Sequence, residues 1–411
     1  MPINYADTAW VLASAAMVLI MTPGLAFFYG GMVRRKNFLS TIMMSFACLG
    51  LIGVLWVVYG YSLAFGPDKA GIIGGLDYFG LIDVGQSPST VYATTIPHLA
   101  FMVFQAMFAV ITVALITGAV VERIKFSALI LFSVIWFTVV YVPIAHWVWG
   151  SGGWLAKLGT LDFAGGTVVH IAAGVSALSL ALLLGPRKGF KEKEPMEPGN
   201  IPLVALGAGI LWFGWFGFNA GSALTSGGLA SNAFVATNIS AASAALSWML
   251  LSWIYRRPSL LGVATGAVVG LVAITPAAGF VQPIMGIPIG VGATLVCYYS
   301  MLLRAKMGVD ESLDVWACHG MGGTWGALAT GIFSTVAVNS AGRNGLIYGN
   351  PGQVLIQLAG IATVWAFAFG MTWAIGKVVN AVIGLRVSSA EESVGLDISQ
   401  HGERAYGGPV R

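Results

Sequence analysis

The sequence predicts an all-α polytopic membrane protein of eleven transmembrane helices, and three observations predict it. Charged residues make up 9% of the 411, against about a quarter in a soluble domain, while 57% are hydrophobic and the mean hydropathy is +0.84. Apolar runs of about 20 residues, the length that crosses a bilayer as a helix, recur along the whole chain. Basic residues alternate between the connections in the pattern that sets membrane topology.

The apolar runs fall near 8–32, 38–65, 95–119, 126–148, 166–184, 201–219, 228–254, 260–280, 284–303, 314–337 and 354–384. Sixteen of the twenty Lys and Arg residues lie after spans 1, 3, 5, 7 and 9 or in the tail: Arg34, Arg35, Lys36, Arg123, Lys125, Arg187, Lys188, Lys191, Lys193, Arg256, Arg257, Arg304, Lys306, Arg386, Arg404 and Arg411. Lys69, Lys157 and Arg343 fall on the other side, and Lys377 lies within the last span. The N-terminus is therefore expected outside and the C-terminus inside. Asp7, with no Lys or Arg before the first span, speaks against a cleavable signal peptide. Five spans precede the inner loop 185–200 and five follow before the last, so the halves run in opposite directions, the layout of two inverted five-helix repeats plus a C-terminal helix. The expected division is a membrane domain, 1–384, and a cytoplasmic tail, 385–411.

Several function classes drop out. The composition excludes a soluble enzyme, and topology accounts for the net charge of +4 without a nucleic-acid partner. Cys48, Cys297 and Cys318 lie in apolar segments without metal-site spacing, so they read as small core residues and no metal is expected.

His170 and His319 carry the chemistry. Each sits in an apolar segment of a chain with five histidines, and an ionisable side chain at membrane depth is a functional-site candidate. They fall in the matching spans 5 and 10, near the first third of each, so opposite entry places them on one axis about the midplane. A neutral pair can share an N–H···N bond and still offer a donor and an acceptor to a small passing molecule. Asp162 stands eight residues before His170, and Glu311 eight before His319 with Asp310 and Asp314 close by. Asp162 is placed to cap its helix through backbone N–H groups; which carboxylate caps the second helix is open. His98 and His146 read as interfacial. A haem held by the two buried histidines is the competing reading, but glycines spaced for close helix packing, such as Gly262, Gly266 and Gly270, argue against the cavity it needs. No cofactor is expected.

Aromatic residues gather where spans 4 and 6 end outside, Trp147, Trp149 and Trp154 and then the run LWFGWFGFNAGS at 211–222, with Phe104 and Phe108 on span 3 adding rings below. Membrane interfaces collect Trp and Tyr in any case. A ring face beside a hydroxyl such as that of Ser222 would also hold a small cation, worth roughly 1–2 kcal/mol when partly desolvated.

The segments FFYGGMVRRKN, FQAMFAVITVALITGAVVERIKF, DFAGGTVVHIAAG, WFGFNAGSAL, SLDVWACHGMGGTWG and EESVGLDISQHGERAY together resemble the ammonium transporter family (Amt/MEP/Rh), from the first span to the tail. The resemblance implies a homotrimer in the cell membrane with one narrow pore per subunit. By motif it implies recruitment of ammonium at Trp149, Phe108 and Ser222 with Trp215 nearby, a ring gate of Phe108 and Phe218, a pore pair of His170 and His319, and a structural carboxylate at Asp162. It further implies a tail signature, Glu392, Gly395, Asp397, His401, Gly402, Glu403 and Tyr406, coupling neighbouring subunits, and a PII-type signalling trimer as cytoplasmic partner. Without the resemblance, the tail reads as a solvated end.

Potassium and ammonium match in size and charge, so a cation-binding vestibule alone does not separate them. Burying either ion in an apolar tube is costly, but ammonium can leave its proton behind. The expected mechanism is therefore recruitment of NH4+, deprotonation near the ring gate and passage of NH3 along the histidines. A role as an ammonium sensor ranks below transport, because sensors of this type carry a long output segment after the membrane domain and the present chain ends at Arg411.

Overall fold

Helices occupy every apolar run. The computed structural model describes residues 2–255 and 257–406; Arg256 and Arg411, both counted among the basic residues above, lie outside the described residues. The helix α1 covers Tyr5–Met32 and starts where the Asn4 side chain accepts the backbone N–H groups of Ala6 and Asp7. It is followed by α2 (Arg35–Phe65), α3 (His98–Thr117) and α4, which runs through Phe126–Trp136, a π-helical turn at Phe137–Tyr141 and Val142–Trp149. Next come α5 (Gly166–Leu184), α6 (Ile201–Gly221), α7 (Gly228–Tyr255), α8 (Leu260–Ile274) and α9 (Gly286–Lys306). A π-turn at Trp316–Met321 leads into Gly322–Phe333 to form α10, and α11 spans Gly352–Ile383. Among the described residues nine helices are long and apolar enough to cross a membrane, leaving α8 and α10 as the shorter ones.

Several boundaries differ from the sequence reading, two of them for a clear local reason. The eighth run was expected to reach 280, but Pro276 lacks the N–H that would continue the ladder, and the chain turns there with Ala277 N–H on Ile274 O at 2.9 Å. The third was expected from 95, but Ala93–Pro97 pairs antiparallel with Pro88–Ser89, and α3 starts only at His98. A second small hairpin, Asp68–Lys69 with Ile73–Gly74, also folds between α2 and α3.

Large apolar side chains such as Leu206, Phe213, Leu246, Trp253, Leu355 and Val382 point outward over a well-packed interior. Helices apolar on all sides suit lipid rather than water. Inside, α1 lies along α6, α7 along α8, and α5 along α11. The helices α5 and α10 cross reciprocally, the π-turn of each packing on the regular part of the other.

The chain after α11 docks beneath the bundle. Val387 N–H bonds Arg123 O at 3.0 Å, and the short helices α12 (Ser389–Val394) and α13 (Leu396–His401) follow, the first opened by a reciprocal cap between Ser388 and Glu391. Two ends of the bundle can then be distinguished: the tail face, and the opposite far face where the hairpins lie.

Candidate functional site

The start of α5 is irregular because Asp162 holds it open. Its Oδ1 accepts the N–H groups of Gly165 and Gly166 at 2.8 and 2.6 Å, and its Oδ2 accepts those of Thr167 and Val168 at 2.8 and 3.2 Å together with the Thr167 hydroxyl. One carboxylate thus satisfies the orphan donors of a helix end. The His170 N–H reaches back five residues to Gly165 O at 3.0 Å, the wide turn that sends the imidazole inward. At α10 the cap is Glu311, whose Oε2 accepts Trp316 N–H at 3.2 Å. Asp314 pairs instead with Arg304 at 2.8 Å and Asp310 with Arg187 at 2.8 Å, which settles which of the three carboxylates caps the helix bearing His319.

The two turns meet at a close crossing. A Cβ on Gly174 would sit 2.5 Å from Gly320 Cα, and one on Gly323 would sit 2.9 Å from Gly166 O and 3.1 Å from His170 Cβ. Each glycine follows its own helix's histidine by four residues, on the same face, so each half supplies the bare patch that the other half's histidine turn rests on. Held this way, His170 and His319 face each other with Nδ1 atoms 3.2 Å apart and ring centroids 5.2 Å apart. They are 1% and 4% exposed, and His170 Nε2 has no hydrogen-bond partner. Direct contact between the rings leaves no room for a haem plane.

Around the pair the wall is apolar. A cavity of about 10 Å³, the room of one water-sized probe, is bounded by Leu25, Phe28, Leu115, Trp215, Phe218, Val268 and both histidines. Towards the far face it is closed by Phe218 and Phe108, ring centroids 4.3 Å apart, with Phe104 edge-on to Phe108 at 4.9 Å. Beyond them opens a vestibule of about 300 Å³ lined by Trp149, Phe108, Ser222, Tyr92 and Gln105 among others. Trp149 stands edge-on to Phe108 at 5.8 Å, fixed by its indole N–H on Asp162 O at 3.0 Å. Trp215, expected near this group, lies below the Phe108–Phe218 pair instead: it stacks 5.3 Å from His170 and its N–H donates to Thr275 Oγ1. Gln105 was missed by the sequence reading. It precedes Phe108 by three residues, hence on the same helix face, and its buried Oε1 has no partner. Of the two histidines read as interfacial, His98 contacts the Tyr61 hydroxyl, and His146 is buried with Nε2 at 3.0 Å from Asp68.

Towards the tail face the apolar wall gives way to a cavity of about 490 Å³, lined by Phe28, Trp248, Tyr298, Arg257, Asp314 and Cys318 among others. A mostly buried ionic cluster lies at the same end of the bundle. Glu122 accepts from Arg34 at 2.8 Å and from Arg187 at 3.1 Å, and Arg187 also holds Asp310. Burial opposes the charge on Glu122, but the flanking Arg187 and Arg34 hold its carboxyl below the usual range.

The tail residues dock beside this cluster. Glu392 accepts Lys188 N–H at 2.5 Å and the Arg386 guanidinium at 2.7 Å, and Asp397 accepts Ser40 N–H at 2.8 Å. Gly395 links α12 to α13, and Gly402 ends α13, where Glu403 N–H returns to Asp397 O. His401 packs edge-on to Phe126 at 4.9 Å; Tyr406 accepts from Asn200 Nδ2 and lies under the Arg35 guanidinium. A tail expected from composition alone to be solvated is thus anchored, with Glu392 and Asp397 each 2% exposed.

A bundle of lipid-facing helices around a narrow buried passage is the architecture of a multi-pass membrane protein. The sequence profile of the Ammonium Transporter Family matches residues 9–406, and the chain belongs to that family. It is 50% identical to the ammonium transporter of Bacillus subtilis over 402 residues, 97% of this chain and 98% of that one, and 52% identical to ammonium transporter Amt1 of Archaeoglobus fulgidus over 400 residues, 97% and 99%. The fold is similar to the crystal structure of Candida albicans Mep2, with a TM-score of 0.90 at 37% identity over 98% of this chain and 90% of that chain. It is also similar to a solved structure described as a sensor Amt protein, TM-score 0.88 at 29% identity over 96% and 98%.

Proposed function

We propose that the protein moves ammonium across the cell membrane by recruiting NH4+ at the far-face vestibule, stripping its proton near the ring gate and conducting NH3 past His170 and His319. The observation that carries this reading is the 3.2 Å contact between the two imidazoles beside an apolar cavity that lies between two much wider ones. A water-sized, apolar constriction is a poor place for a hydrated cation and a tolerable one for a small neutral molecule that can hydrogen-bond to the rings. Trp149, Phe108 and Ser222 form the recruitment site, to which the unpaired Gln105 oxygen adds an acceptor; Phe108 and Phe218 are the gate. Asp162 acts as a structural carboxylate, and no cofactor or metal takes part.

In this reading α1–α11 all span the bilayer, far face outside and tail face in the cytoplasm. The excess of Lys and Arg in the tail-face connections supports the orientation. An inverted repeat of α1–α5 and α6–α10 is supported by the reciprocal crossing at the two π-turns. Residues 1–384 form the transport domain and 385–411 a regulatory segment. Three copies assemble, each with its own pore, and a PII-type signalling trimer docks at the cytoplasmic face near the anchored tail. Native mass spectrometry of the detergent-solubilised protein should show a trimer, shifted by one PII trimer when the two are mixed; a monomer, or no shift, speaks against each assembly in turn.

Current across a planar supported membrane bearing proteoliposomes tests transport itself. An ammonium jump should give a transient current and an equal potassium jump none. Equal responses to both ions sink the deprotonation mechanism. Internal alkalinisation with no current means net NH3 conduction without the proton, and silence in both assays favours a sensor, the reading that the likeness to a sensor Amt protein supports.

A further inference from the structure

The two carboxylates that open the histidine helices are matched in position but not in bonding. Asp162 uses both oxygens fully, accepting four backbone N–H groups and one hydroxyl. Among the described residues Glu311 has a single bond, from Trp316 N–H to Oε2, while Oε1 is buried without a partner. An unpaired, fully buried carboxylate oxygen is costly as an anion and far less so as a carboxylic acid. Burial, with the neighbouring Asp314 charge adding to it, lifts the Glu311 carboxyl to about 7.

It is fully buried, and its chain neighbours Ser312, Leu313 and Asp314 line the tail-face cavity. Phe28 lines both the pore cavity and the tail-face cavity, so it marks the wall between them. Tyr29, next in the chain, and Cys318 and Asp314, both on the tail-face cavity, are titratable groups within electrostatic reach of Glu311. Among the described residues the charges facing it also include Arg304, paired with Asp314, and Arg123, whose guanidinium donates to Asp310 O at 2.6 Å. Asp310 itself is occupied by Arg187.

We propose that Glu311 is a proton-transfer residue of the transport cycle, returning a proton to ammonia as it leaves the pore at the tail face. The proposal rests on the transport reading above. In the step, the Glu311 O–H bond breaks and an N–H bond forms, so that carboxylic acid and NH3 become carboxylate and NH4+, which departs through the cavity beside Asp314. The carboxylate then takes up the proton that the next ammonium leaves in the vestibule, so one proton and one nitrogen cross per cycle and nothing is oxidised or reduced.

Glu311→Gln tests this, because the amide oxygen still accepts Trp316 N–H while the proton store is gone. The acid form prevails below about pH 7 and the anion above it, so the parent's ammonium current should fall as internal pH rises through that value. In Glu311→Gln the current should drop roughly tenfold, one hydrogen-bond-sized step in free energy, and lose that pH dependence. Glu311→Asp should keep a pH dependence with a moved midpoint. An infrared difference spectrum of the parent between about pH 6 and pH 8, where such a carboxyl titrates, should show a protonated-carboxyl band that Glu311→Gln lacks; this readout needs no transport and stands if the variant couples poorly. A Glu311→Gln current of parental size and pH profile overturns the proposal, as does a parent spectrum with no titrating carboxyl. A parent that conducts NH3 without current overturns the proposal and leaves ammonium transport standing, whereas a parent silent to ammonium in every assay removes both.

Discussion

Replacing His319 with alanine should cost the pore its discrimination between ammonium and potassium. His170 already has one unpaired nitrogen, and its Nδ1 bonds only His319. Deleting the second ring therefore leaves a buried imidazole with no protein partner, a state that costs about 1–3 kcal/mol. Water is the available substitute, and the removed ring leaves the space for it next to a cavity that otherwise holds about one. A wetted passage no longer makes potassium pay the full desolvation cost. The ratio of ammonium to potassium current should fall roughly tenfold, the equivalent of about 1.4 kcal/mol, with His319→Gln falling less because a polar side chain of similar reach remains. Gly323→Ala should move in the same direction while leaving both histidines in the chain: its new methyl at 3.1 Å from His170 Cβ pushes the two turns apart, and overpacking of this kind costs about 1–3 kcal/mol. Purified His319→Ala that carries ammonium and excludes potassium like the parent would remove the pair from the selectivity mechanism.

Much of this arrangement was legible in the chain, and the reasons differ by element. Apolar periodicity and length give the helices, because a bilayer demands about 20 residues and tolerates few charges. The pairing of His170 with His319 follows from their matching places in opposed halves. Proline and pairing effects set the helix ends instead, as at Pro276 and at Ala93–Pro97, and these depend on neighbours that hydropathy does not see. Trp215 was grouped with the vestibule because it shares a motif with Phe218 and Ser222, yet Ser222 follows it by seven residues, about two helical turns, which is the distance from pore to vestibule. Gln105 escaped notice among rings since a single amide carries no pattern. The tail escaped because what anchors it is tertiary: Glu392 and Asp397 look solvated until Lys188, Arg386 and Ser40 are brought beneath them.

Loss of the Asp162 carboxylate should be the most damaging single change for the fold itself. Asp162→Ala leaves four backbone N–H groups and the Thr167 hydroxyl without their acceptor in a site only 7% exposed. Each buried orphan costs about 1–3 kcal/mol. The turn will relax and recover part of the sum, so a net loss on the order of 3–5 kcal/mol is expected, at the upper end for one substitution. Asp162 also sets the outer geometry, since its own carbonyl receives the Trp149 indole N–H, so the vestibule loosens together with the helix end. Asp162→Asn separates charge from shape. Its amide oxygen can still accept from one pair of donors, but its NH2 then faces two backbone N–H groups, and only the Thr167 hydroxyl can turn to accept from it. Thermal unfolding of the purified protein should show Asp162→Ala lowered by roughly 10 °C or more, with Asp162→Asn in between. Ammonium current should disappear in the alanine variant even at temperatures where it stays folded, because His170 hangs from the turn that Asp162 pins. An alanine variant that melts and transports like the parent would show that the π-turn forms without its cap, and the positioning of His170 would then have to come from the Gly174 and Gly323 crossing alone.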